Sequence, residues 1–424
     1  MLSLGAARNP AVSATRRLPE VVADPDPTLD AFRPLEKALA GGKVKFDNPW
    51  APGSTDKSPA QMWDLMRHPQ PPYPTPAQVA ADLPFAEVDH AAIHSHRAGD
   101  AMRVTWIGHA TLLVQMGGVN FITDPIFAER CSAVQWAGPK RYTPPAMRVS
   151  ELPPLDFVLL SHNHYDHLCY ETVQEIGNAP LWIVPKGVKR WMRGAGIDHC
   201  VEMSWWDHVL PLSDDFKVVC LPSQHWSSRT PWDRNTSLWC SYAAISNGGS
   251  GSSNSAQQQQ QQQEERFYFG ADTALIPRAP VHEAIGARYG PFDVAALPIG
   301  AYAPRAFMAA QHWLWARAVD GRRERGGGHC APDEALQIAA DVRARRSVAI
   351  HWGTFHLAWE GYADAPRELV AAAAAARSGG GGSGGGGAFE VLRHGESVVR
   401  GQPRRYACKW SEAAAASAPG LAQA

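Results

Sequence analysis

The chain has 424 residues, 45% of them hydrophobic and 19% charged, with 40 basic against 41 acidic side chains and a net charge of −1. That length and composition allow one large domain, or two smaller ones, with a full core. They provide no basic field for nucleic acid, and no apolar run is long enough to span a bilayer, so any membrane role is expected to be peripheral.

Residues 1–19 hold Arg8, Arg16 and Arg17 and no acid, a pattern shared by organelle presequences and disordered tails. Residues 1–98 as a whole read as a partly disordered N-terminal extension, rich in Pro and Ala, with short helical patterns at 61–67 and 76–81. Regular alternation begins at 102–106 and continues through 111–114 and 119–123, with Gly117-Gly118 as a hairpin turn. Strand and helix patterns then alternate, as layered sheets with outer helices require. The main domain is expected over 99–410, ahead of a disordered tail at 411–424. Three insertions interrupt it: Gly, Ser and Gln at 246–265, an Arg-bearing stretch at 313–330, and nearly pure Gly at 377–387. Segments 246–265 and 377–387, like the tail, lack the apolar content to offset the entropy of ordering. The seven cysteines are scattered and form no Cys-x-x-Cys, which reads as reduced thiols of an intracellular protein.

The chemistry concentrates at Ser161-His162-Asn163-His164-Tyr165-Asp166-His167, directly after the apolar run 157–160. Two histidines one residue apart on extended chain point the same way, and the Asp-His pair turns back toward the same space. Such a cluster can divide between two zinc ions. Three further short β-type runs end in a ligand-type residue: 218–221 before His225, 267–270 before Asp272, and 347–350 before His351. This order assigns His162, His164 and His225 to a first zinc and Asp166, His167 and His351 to a second. Asp272 bridges them, since a carboxylate can hold two cations about 3.5–4 Å apart. The carboxylates Asp166 and Asp272 are the catalytic candidates. Asp124, after the strand 121–123, is a candidate acceptor for a ligand histidine proton. His109 also follows a strand and is either a rim residue or a packed core histidine.

Several accompanying strings narrow the reading. Asp124-Pro125-Ile126-Phe127, Gly138-Pro139-Lys140-Arg141 and Ser150-Glu151-Leu152-Pro153-Pro154 precede the motif. Pro222-Ser223-Gln224-His225-Trp226, Pro298-Ile299-Gly300-Ala301-Tyr302, His351-Trp352-Gly353-Thr354-Phe355 and His394-Gly395-Glu396-Ser397 follow it, with a weaker trace at Asn48-Pro49-Trp50. Together they resemble the metallo-β-lactamase superfamily and, within it, the phospholipases D that hydrolyse N-acylphosphatidylethanolamine. The resemblance implies an α/β fold, an αββα sandwich of two mixed β-sheets with outer helices and the metals at one sheet edge. It implies hydrolysis of N-acylphosphatidylethanolamine in membranes to an N-acylethanolamine and phosphatidic acid, two Zn2+ and a homodimer. Tyr165 and Gln311 match positions that face substrate, and the Gln311-His312 pair is expected to sit ahead of the 313–330 insertion. Trp205, Trp206, Trp226 and Trp232 read as core-packing residues or, alternatively, as a membrane-facing rim, and Arg229 and Arg234 as phosphate contacts or plain solvated cations. A soluble lactonase or small-phosphodiester hydrolase of the same fold would use the same ligands.

Overall fold

A computed structural model describes residues 17–403 apart from 51, 54, 57–62, 64–66, 68, 70, 84, 249–263, 277–278, 305–326 and 379–386. Most of the helical pattern at 61–67, the Gln run and Gln311 therefore lie outside the described residues.

Strand-forming runs divide between two main sheets. The N-terminal segment supplies β1 (Val21–Val22) and the hairpin β2 (Leu35–Ala38) and β3 (Val44–Asp47), followed by helices α1 (Pro76–Asp82) and α2 (His90–Ser95). The first large sheet is built from β4 (Arg103–Gly108), β5 (Thr111–Met116), β6 (Val119–Thr123), β7 (Phe157–Leu159), β8 (Leu181–Pro185) and β9 (Cys200–Met203). The second holds β10 (His208–Val209), β11 (Phe216–Leu221), β12 (Ser241–Ser246), β13 (Glu265–Phe269), β14 (Val294–Pro298), β15 (Arg346–Ile350) and β16 (Ala388–Glu390), with β1 on its edge. The last strand, β17 (Ser397–Val399), returns to the first sheet beside β4. Both sheets are mixed. The first is parallel from β6 to β9 and the second from β13 to β16.

Period-two alternation decides what each face of the first sheet meets. Val104, Trp106, Leu112, Val114, Phe121 and Phe157 point to the core shared with the second sheet. Ile107, Leu113, Ile122 and Val158 point outward, under α2, α3 (Tyr170–Ile176) and α4 (Lys189–Gly194). The two sheets meet through aromatic rings: Phe121 stacks on Phe157 at 4.6 Å, and Phe216 and Phe267 meet them edge-on from the second sheet. Helices α5 (Val281–Tyr289), α6 (Pro332–Asp341) and α7 (Asp364–Ser378) belong to the second sheet, where Val281, Ile285, Ala335, Ile338 and Leu369 join the core. This is the αββα arrangement expected from the sequence. Strands β12 and β13 form the antiparallel pair on either side of the Gln-bearing insertion, and α7 continues to Ser378, two residues into the stretch read as a glycine linker.

The N-terminal segment packs against this sandwich. β1 pairs with β10, Phe46 is buried, and Trp50 stacks on Trp205 at 5.4 Å with rings 8° apart. At the end of β14 the sheet is tight. A Cβ on Gly300 would lie 2.1 Å from the backbone oxygen of His351. Gly300→Ala is therefore expected to cost about 1–3 kcal/mol through overpacking and to displace His351. A lower thermal midpoint with reduced divalent-metal content in the purified variant is the expected result; an unchanged midpoint would contradict the close approach.

Candidate metal centre

The predicted ligands come from strand ends on one rim. β7 stops at Leu159, and Ser161 turns the chain inward by donating its N–H to Asp124 Oδ1 at 2.7 Å and its hydroxyl to Asp124 Oδ2 at 2.5 Å. A single helical turn follows, with His167 N and Leu168 N both donating to His164 O. That turn brings Asp166 and His167 back over His162. His351 follows β15 directly, and His225 and Asp272 come a few residues after β11 and β13.

The side chains fall into two sets. His162 Nε2 and His225 Nε2 lie 2.8 and 3.1 Å from His164 Nδ1, with Asp272 Oδ2 at 3.7 Å from the first and 3.5 Å from the second. On the other side, Asp166 Oδ2 lies 3.3 Å from both His167 Nε2 and His351 Nε2. Asp272 stands between the sets, its Oδ2 3.2 Å from His167 Nε2 and its Oδ1 3.2 Å from His351 Nε2. Each set places its ligand atoms within 4.8 Å of one another.

These residues fit divalent cations. Both oxygens of Asp272 and Nε2 of His167 are buried without a hydrogen-bond partner. Buried polar atoms left so are costly unless a charge or ion meets them. Mixed imidazole and carboxylate donors are the set zinc and its neighbours accept. Burial pushes His164 and His225 down to about 3 and holds His162 well below its ordinary value, so these three present neutral rings. Burial acts against charge on His167 and His351 too, but the surrounding carboxylates win: Asp272, Asp166 and Asp124 hold His167 well above its usual range, and Asp272 and Asp166 raise His351 to about 9. Asp166 and Asp272 stay ionised against burial, through His167 first of all.

An outer layer sets the tautomers. His167 Nδ1–H donates to Asp124 Oδ2 at 2.6 Å. His225 Nδ1–H donates to the Gly328 carbonyl at 2.6 Å, and His162 Nδ1–H meets Ser161 Oγ at 2.8 Å. His109 is fully buried and its Nε2 lies 2.9 Å from Asp166 Oδ2. His109, Asp124, Ala271 and His351 all have positive φ, between 34° and 60°. Non-glycine residues held there store strain of about 1–3 kcal/mol each, and such strain gathers at functional sites.

Other expectations come out differently. Tyr165 lies at the mouth, its hydroxyl donating to Arg229 O at 3.0 Å. Arg229 is committed in part: its Nη1 donates to Asn163 O and Leu168 O, and its guanidinium sits 4.0 Å over the Tyr165 ring. Arg234 is likewise bound to Thr55 and Asp56 and stacks on Trp226. Trp205 and Trp206 are wholly buried, because the N-terminal segment covers them with Trp50 and Phe32, and they form no rim. Trp226 packs on His164 at 4.3 Å, while Trp232 is 89% exposed.

The sequence reading missed His329. Its Nδ1 lies 3.8 Å from Asp272 Oδ2, and its ring is 4.9 Å from His225 and 5.1 Å from His351. It sits in 327–330, the described end of the stretch read as an insertion, and that end contributes to the site. The signal was the run His329-Cys330-Ala331-Pro332-Asp333-Glu334, a histidine three residues ahead of the Pro that starts α6.

The beta-lactamase superfamily domain model matches residues 119–352. An N-acyl-phosphatidylethanolamine-hydrolyzing phospholipase D of Caenorhabditis elegans is 37% identical over 296 residues, 68% of this chain and 72% of that protein. An uncharacterized protein of Mycobacterium tuberculosis is 35% identical over 305 residues, 70% of each chain. A mitochondrial protein of Saccharomyces cerevisiae bearing the same phospholipase D name is 29% identical over 325 residues, 76% of this chain and 60% of its own.

Elemental analysis of the purified chain is expected to find about two divalent cations, and about one or fewer after Asp272→Asn. Full loading of that variant would contradict the shared carboxylate. Loading at pH 7 is also expected to release protons. His351, at about 9, and His167, above its usual range, carry protons there that a cation must displace. Apparent affinity should therefore rise with pH up to about 9, as titration in weak buffer would read.

Proposed function

The chain belongs to the β-lactamase superfamily and, within it, to the N-acylphosphatidylethanolamine-hydrolysing phospholipases D, and on that footing we propose that it hydrolyses N-acylphosphatidylethanolamine with two zinc ions. The products are an N-acylethanolamine and phosphatidic acid. Asp272 carries the reading: one buried carboxylate faces both ligand sets.

Zinc, when bound, supplies a water that ionises near neutral pH and positive charge for the phosphoryl oxygens. The protein's own residues supply the orientation. His162, His164 and His225 would hold one cation as neutral rings; Asp166, His167 and His351 would hold the other, with Asp272 placed to serve either. Asp124 keeps the His167 Nδ1 proton, which leaves Nε2 as the binding atom. His109 grips one oxygen of Asp166 and limits how that carboxylate can turn. His329 belongs to neither set. Burial pushes it down to about 3, so it stays neutral and offers a ring N–H to a phosphoryl oxygen.

The substrate is a lipid, and the mouth is built to meet a surface. Trp136 and Trp232 are 82% and 89% exposed. In sequence Trp136 stands five residues after Cys131, part of the cluster that Tyr165 packs against, and Trp232 three residues after Arg229, whose carbonyl takes the Tyr165 hydroxyl proton. Tryptophan favours the interface of a bilayer, where its ring is apolar and its N–H wet. Among the described residues no helix is long and apolar enough to cross a membrane. Peripheral attachment inside the cell, with six described cysteines free of disulfides, is part of the same reading.

N-acylphosphatidylethanolamine in mixed micelles is expected to yield N-acylethanolamine and phosphatidic acid, with a chelator abolishing both. Turnover of lactones or small diesters without turnover of the lipid would reassign the substrate class. His329→Ala should lower kcat about 10²–10³-fold, the range for losing one well-placed donor, while metal content stays at the unaltered level. The double change Trp136→Ala and Trp232→Ala is expected to weaken sedimentation with phospholipid vesicles and leave hydrolysis of a short-chain soluble diester intact. Equal vesicle binding would remove the rim from the argument.

A further inference from the structure

We propose that Gln224 is a positioning residue whose carboxamide ties the N-terminal segment to residues 327–329 and so fixes the imidazoles of His225 and His329. The proposal rests on the reading of His225 as a metal ligand. Gln224 is 1% exposed and immediately precedes His225. Its Oε1 accepts the Trp50 indole N–H at 2.5 Å, and its Nε2 donates to the Gly327 carbonyl at 3.1 Å. An indole nitrogen can only donate and a peptide oxygen can only accept, so the amide has one workable orientation. Neither an apolar residue nor an ionised carboxylate of similar length satisfies both ends.

Each end of the tie is anchored. On one side, Trp50 stacks on the buried Trp205. Asn48, two residues earlier, donates to the backbone oxygen of His225 at 3.1 Å and accepts from Trp239 Nε1 at 3.3 Å. On the other side, Gly328 O takes the Nδ1 proton of His225 at 2.6 Å, and Cys330 N–H bonds Thr273 O at 2.9 Å, next to Asp272. Between these anchors run Gly327 and Gly328, the most permissive backbone a chain can have. A carbonyl can orient an imidazole only if its own position is set. The Gln224 amide sets it one residue upstream, and His329 follows one residue downstream. A merely space-filling residue would leave the glycine run free to turn its carbonyls away from His225.

The test uses the full chain loaded with cobalt(II), whose visible ligand-field bands report the geometry around each ion. Gln224→Met keeps the size and removes both hydrogen bonds. It is expected to weaken uptake of one of the two cobalt ions about 10–100-fold, the range for losing an outer-layer partner of a ligand, and to shift its bands. Trp50→Phe keeps the ring stack, removes only the N–H, and should move the same band less. Ile338→Ala, a core truncation in α6, serves as the control: it should lower the thermal midpoint without moving affinity or spectrum. Wild-type affinity and bands in Gln224→Met and Trp50→Phe would overturn the tie and leave the metal centre standing. Failure of the unaltered chain to take up cobalt would overturn both.

Discussion

The fold is organised around one electrostatic constraint: imidazoles and carboxylates are crowded together at the rim of two sheets, almost out of water. Three histidine nitrogens approach within 3.1 Å, and the Asp272 carboxylate beside them has no hydrogen-bond partner. Left alone, such a cluster is unfavourable, because buried polar atoms lose hydration without gaining a partner. Protons balance part of it on His167 and His351. Divalent cations balance it better, since they meet several lone pairs at once. The site is thus a demand for cations, and the surrounding structure exists to keep that demand from relaxing.

Relaxation is prevented from two directions. From below, the sheets fix where each ligand leaves its strand, and four residues of the rim hold left-handed backbone that isolated chain would avoid. From outside, a layer of acceptors fixes each ring. Asp124 is the busiest of these, taking the Ser161 N–H, the Ser161 hydroxyl and the His167 Nδ1 proton together. A carboxylate with that many donors rigidifies β6, β7 and the motif as one unit. This explains how a three-residue strand such as β7 can carry four ligand-type side chains accurately.

The parts legible in the sequence were those with local signatures. Strand-then-ligand syntax exposed His225, Asp272 and His351 because a strand and its following turn are contiguous. Alternation exposed β4 to β6 for the same reason. Long-range relations were not legible. Nothing local marks Trp205 and Trp206 as core, since their cover comes from Phe32 and Trp50, more than 150 residues earlier. Arg229 and Arg234 look like free cations until their partners, Asn163, Leu168 and Thr55, are brought beside them. His329 was hidden differently: glycine and arginine around it read as solvated loop, and only its distance to Asp272 shows where it ends up.

The N-terminal segment takes on a different meaning in this light. Composition reads it as an appendage, because Pro and Ala give it little periodicity. Yet its strand β1 edges the second sheet, Asp24 and Asp26 pair with Arg288 on α5, and Asn48 and Trp50 reach the turn that carries His225. Surface ion pairs such as those at Arg288 contribute little by themselves. Their effect is to hold the segment in register while buried contacts at Phe46, Asn48 and Trp50 do the anchoring. A segment attached in this way couples the far edge of the second sheet to the metal rim. Loss of order at one end would then be felt at the other, through hydrogen bonds that are individually modest but lie in series.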